Sequence, residues 1–85
     1  SEVLVDRQVA LVSGVVRAVT MPNLRAVQVL VAELFDGRQA VNLVWIGRRR
    51  IPGIEPGALL CARGRVAMRG GVPTIFNPIY TIAPK

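Results

Sequence analysis

The chain has no histidine, one cysteine (Cys61) and one lysine (Lys85). These absences exclude a disulfide within the chain, a thiolate or histidine zinc site, and a Ser–His or Cys–His nucleophile pair. Acids are few as well: Glu2, Asp6, Glu33, Asp36 and Glu55 are scattered, with no spacing that suggests a two-carboxylate site. General acid–base chemistry needs paired titratable groups, so the expectation is a non-catalytic protein without metal or cofactor. No stretch reaches the ~20 unbroken apolar residues that a bilayer requires. The longest charge-free stretch, Gly70 to Pro84, is interrupted by Pro73, Asn77, Pro78 and Pro84. An acidic N-terminal stretch (Glu2, Asp6) is unlike a signal peptide, which starts basic and turns apolar. The expectation is a soluble, cytoplasmic protein with no membrane partner.

Basic charge is abundant. Eleven basic residues against five acids give a formal net charge of +6, and all the basic residues except Lys85 are arginine. Such an excess on a small domain is the electrostatic footprint of phosphate binding. Arginine adds a planar fork that bridges phosphate oxygens and stacks on bases. Hydrophobic residues make up 52%, too many for a disordered tail. At 85 residues the chain is one domain, residues 1–85, with 1–7 and 83–85 expected to be frayed ends.

The patterning is β almost throughout. Val9–Val19 is rich in β-branched residues and predicts a first strand, broken by Thr20-Met21-Pro22-Asn23. Val27–Phe35 and Gln39–Ile46 predict a hairpin around Asp36-Gly37, since Gly tolerates the positive φ of such turns. Gly47–Pro56 holds two prolines and three arginines and predicts a short helical or irregular connection. Ala58–Arg69 and Val72–Ile82 predict a second hairpin about Gly70-Gly71. Five strands with the one non-β connection between the third and fourth fit an all-β, five-stranded Greek-key barrel of the OB-fold type. An SH3-like barrel is the alternative, although its helical turn normally comes one strand later.

Particular residues carry a family resemblance: Val12-Ser13-Gly14-Val15-Val16, Leu43-Val44-Trp45-Ile46, Pro56-Gly57, Ala62-Arg63-Gly64-Arg65-Val66 and Asn77-Pro78-Ile79-Tyr80. The series resembles nucleic-acid-binding OB-folds of the anticodon-binding and helicase type. It is similar to the wedge domain of RecG-type helicases and to small stand-alone OB-fold proteins of actinobacteria. The resemblance implies an OB-fold that binds nucleic acid, with no ATP-driven activity because no motor is present.

Strand alternation sorts the faces. Leu60, Ala62, Gly64, Val66 and Met68 are expected inward, with Arg63, Arg65 and Arg69 outward. Val12, Gly14 and Val16 are expected inward opposite Ser13, Val15 and Arg17, the two glycines letting bent strands pass closely. Leu30, Ala32, Leu34, Val41, Leu43 and Trp45 are assigned to the core. Val29, Val31, Phe35, Val44 and Ile46 are assigned to the outside. Trp45 is expected to plug the barrel end, Tyr80 to anchor the last strand, and Asn77 to satisfy its own turn.

The expected function is binding of single-stranded DNA or RNA, or a junction, with little sequence specificity. Arg17, Arg63, Arg65 and Arg69 would follow phosphates, Arg48, Arg49 and Arg50 would clamp at one rim, and Phe35 and Phe76 would stack on bases. The competing expectation is a protein partner or self-association through the apolar outer face of strands two and three.

Overall fold

The computed structural model describes residues 7–22, 27–48 and 50–83; Arg49 and the stretches 1–6, 23–26 and 84–85 lie outside the described residues. Six strands follow one another: β1 (Val9–Thr20), β2 (Val29–Phe35), β3 (Ala40–Ile46), β4 (Leu59–Arg69), β5 (Val72–Phe76) and β6 (Ile79–Ile82). No helix occurs among the described residues. The connection between β3 and β4 is built from turns, the irregular form of the two expected. The ends are better anchored than expected at two positions: the Arg7 N–H donates to Val66 and the Ala83 N–H to Leu59.

Turn chemistry sets the hairpins. The Asp36 carboxylate accepts from the N–H groups of Arg38 and Gln39 at 2.8 and 2.9 Å, and Gly37 takes φ +100°. This side-chain-closed loop spans four residues, so β3 begins at Ala40 and pairs it with Phe35. Gly70 and Gly71 both have positive φ and join Arg69 directly to Val72, the two-residue turn that matches strand twist.

The predicted last strand, Val72–Ile82, is in fact two. Val66 faces Ile75 and Arg63 faces Ile79, so two residues of β4 lie opposite three on the partner strand. That extra residue is a β-bulge at Asn77-Pro78. Pro78 has no N–H to offer a ladder, and Asn77 takes φ +49°, which few side chains tolerate. Asn77 does not satisfy its own turn, as the sequence suggested. Its Oδ1 accepts from the Ile46 N–H at 3.0 Å and its own N–H donates to the Val44 carbonyl, tying the bulge to β3. Asn77→Ala should therefore lower stability by about 1–2 kcal/mol in urea unfolding, combining φ strain with the lost bond. Asn77→Gly should recover part of that loss, because only the side-chain bond is missing.

Antiparallel pairs β1–β2, β2–β3, β4–β5 and β1–β4, with a parallel pair β3–β5, close a ring of five hydrogen-bonded strands in the order β1-β2-β3-β5-β4. β6 extends the sheet beyond β4. β1 belongs to two pairings, and Val15 faces both Phe35 and Leu59. Inside the ring sit Val12, Val16, Leu30, Ala32, Leu34, Val41, Leu43, Trp45, Leu60, Ala62, Val66 and Ile75, with Ile51, Ile54 and Ala58 of the connection joining them.

Alternation held for Val12, Val16, Leu30, Ala32, Leu34, Val41, Leu43, Trp45, Leu60, Ala62 and Val66 and failed at three other residues. Met68 is exposed, because the core pattern on β4 runs past the end of the packed interior. Val29 and Val44, expected outside, are buried. On the outer face Val44 lies between Val31 of β2 and Phe76 of β5, and three packed strands shield the middle side chain. Val31 and Phe35 are half-buried, leaving Ile46 as the exposed residue of the apolar face once expected there.

Candidate functional site

On the outer face of β4 the sequence reads Arg65, Ala67, Arg69 at every second position, so two guanidinium groups flank a methyl. The short Ala67 side chain leaves a floor between them. Phe76, exposed on the neighbouring β5, forms one wall, and Arg7, held by its N–H bond to Val66, lies beside the opposite side of β4. The result is a groove of about 380 Å³ lined by Arg7, Arg65, Val66, Ala67, Met68, Arg69 and Phe76. Three arginines and no acid line it. The Arg69 guanidinium sits 5.6 Å from the Phe76 ring centroid, a cation–π distance.

A second arginine–aromatic pair stands on β1 and β2: the Arg17 guanidinium lies 4.7 Å from the centre of the Phe35 ring. It forms because the ladder slips between Val16 and Ala18, and this bulge places Arg17 beside the Val15–Phe35 pair. Continuing the β2–β3 and β3–β5 registers, Phe35 and Arg69 stand on one row across β2, β3, β5 and β4. Three strand spacings separate them along the curved wall of the ring, a path of about 14–15 Å. The small Ala40 and the half-buried Val72 lie between.

The structure therefore divides the predicted site residues. Arg65, Arg69 and Phe76 come together, and Arg17 and Phe35 form the second pair. Arg63 is outward as expected but belongs elsewhere, since its strand neighbours are Leu11 and Ile79. Arg48 and Arg50 are exposed on the connection, where Arg50 edges a small apolar pocket of about 230 Å³ with Met21 and Ile54. Arg49 lies outside the described residues. Arg7 is the lining residue that sequence reasoning missed. The register that pairs Val9 with Arg65 would have placed it opposite Ala67, had the terminus not been taken as frayed.

Trp45 is buried at 4% exposure and meets Tyr80 edge to face, with ring centroids 5.6 Å apart, so it offers no platform for a base. Cys61 is a half-buried free thiol. Among the described residues no group of three or more metal-ligating side chains occurs, and no helix is long and apolar enough to cross a membrane. Compared with protein-family models, with curated proteins and with solved structures, the chain matches none.

Proposed function

We infer that this protein is an OB-fold module that binds single-stranded nucleic acid, without catalysis and with little sequence specificity. The observation that carries the reading is the Arg7–Arg65–Arg69–Phe76 groove, which offers phosphate-binding cations and one exposed ring within a space that suits a nucleotide. Phosphates engage the guanidinium forks, and an unstacked base lies against Phe76. The Arg17–Phe35 pair repeats the arrangement further round the same outer row, giving a strand that follows the curve of the ring a second point of contact. The OB-fold assignment draws support from the ring order and from the irregular connection placed between β3 and β4. Four aromatic residues in the whole chain, two of them in the interior contact between Trp45 and Tyr80, make the binding charge-dominated.

The test is titration of a labelled mixed-sequence single strand at several salt concentrations. Four engaged phosphates should give a slope of about −3 in log K against log salt. Arg65→Gln with Arg69→Gln should flatten that slope by ~1.4 units, two phosphates' worth for a single strand. Arg48→Gln with Arg50→Gln should change it less, because nothing holds those side chains in register with the groove. Phe76→Ala should weaken binding roughly 5- to 150-fold, the equivalent of ~1–3 kcal/mol per stacked base, with the slope retained. An affinity indifferent to salt, or untouched by the Arg65/Arg69 pair of changes, would remove the basis of this function.

A further inference from the structure

The outward face of β1, β4 and β6 differs in chemistry from the groove. Leu11 of β1 and Ile79 of β6 stand on either side of Arg63, each paired with it across the sheet, and they are 66% and 75% exposed. Two residues along, the row is Ser13, Cys61 and Thr81, all short side chains. Two further along stand Val15 and Leu59, the latter 47% exposed. Small residues beside Leu59 leave a cup of about 370 Å³ over Ser13, Cys61 and Thr81, with Leu11, Arg63 and Ile79 one row beyond it. A monomer gains nothing by holding Leu11 and Ile79 in water beside an apolar cup, and exposed apolar side chains grouped in this way mark an interaction site.

We propose that this face docks a segment of another protein in which a large apolar side chain fills the cup and a neighbouring carboxylate pairs with Arg63. Charge selects that occupant. The acids among the described residues, Glu33, Asp36 and Glu55, lie on β2, its turn and the connection, so none of these described carboxylates shares the face of the Arg63 guanidinium. A second copy of this chain would bring the Arg63 of two +6 molecules to one interface with no acid from these strands between them. More nucleic acid fits poorly, because the face presents aliphatic side chains and no aromatic ring for a base. Carboxylates beside apolar anchors satisfy both halves of the surface. The inference is independent of the nucleic-acid reading, since the cup and the groove share no lining residue.

The experiment pans a random peptide library against the immobilised full chain and measures the selected peptides by fluorescence anisotropy. Selected sequences should be enriched in Asp and Glu next to Leu, Ile or Phe, and their binding should shift the amide resonances of β1, β4 and β6. Cys61→Leu, which fills the cup, and Arg63→Glu, which reverses the charge, should each weaken binding at least tenfold. Ser13→Leu, at an exposed position on the same row, should do the same and stands in if Cys61→Leu fails to fold. Oligonucleotide affinity should stay within about twofold in both cup-filling variants. Selected peptides without acidic enrichment, or peptides indifferent to these substitutions, would overturn the proposal. So would a wild-type dimer that Ser13→Leu dissociates, or binding to phosphatidylglycerol vesicles that the same variants abolish in the absence of any peptide binding.

Discussion

Trp45→Ala should cost about 3–5 kcal/mol of stability, the range for removing a large buried aromatic side chain. A domain of this length holds roughly 4–13 kcal/mol in total, so the variant should melt far below the wild type or fail to fold. The indole sits within the ring of strands, packs edge to face on Tyr80, and shares its core cluster with Ile51 and Ile54 of the β3–β4 connection. Losing it would release the connection as well as open a cavity. Its Nε1 is buried with no hydrogen-bond partner, an uncommon and costly arrangement. Trp45→Phe should therefore cost much less than Trp45→Ala, because the smaller ring also removes an unsatisfied donor worth about 1–3 kcal/mol. Thermal and urea unfolding of the two variants check this. A Trp45→Ala protein of normal stability that no longer binds oligonucleotide would show the indole to be a binding platform.

Gly14→Ala should be nearly as damaging, and for a different reason. A Cβ at Gly14 would lie 2.7 Å from the Phe35 carbonyl carbon and 2.9 Å from Asp36 Cα, and closer still to the Phe35 carbonyl oxygen. These are backbone atoms with no rotamer in which to move away. β1 passes from β4 to β2 at this point, since Val15 pairs with both, so relief would mean opening one of the two ladders. Overpacking of this severity costs ~3 kcal/mol or more. Gly64→Ala should be milder. Its Cβ would meet the Cγ2 methyl of the fully buried Ile75 at 2.5 Å, and because that β-branched side chain is stiff at χ1, relief means repacking the core around it, at about 1–3 kcal/mol, but no ladder need open. Equal destabilisation by the two substitutions would show that the strand crossing at Gly14 is looser than its geometry implies.

Much of the architecture is legible in the sequence because alternation and turn chemistry are local. Asp36-Gly37 and Gly70-Gly71 mark two hairpins by the positive φ that only certain residues accept, and both occur. The arginines of β4 identify its outer face, since guanidinium groups have no place in a small apolar interior. The same reasoning placed Trp45 inside. It fell short where a register shift or a third strand intervened. The Asn77-Pro78 bulge split one strand into two, and its bond to Ile46 spans 31 positions in the chain. Burial of Val29 and Val44 depends on what packs beside them across the sheet, which no window of neighbouring residues contains.

The sequence by itself determined an all-β chain with a surplus of arginine and an apolar interior. These follow from composition, from a period of two and from turn residues, each a property of short segments. Only the tertiary structure decided which arginines stand together. Arg65 and Arg69 share a groove with Arg7 from the far end of the chain and Phe76 from another strand, whereas Arg63, two positions from Arg65, stands among aliphatic side chains. The physical reason is that a side chain's neighbours in a sheet are set by cross-strand register. That register comes from closing the ring through β1–β4 and β3–β5, pairings between residues some thirty or more positions apart.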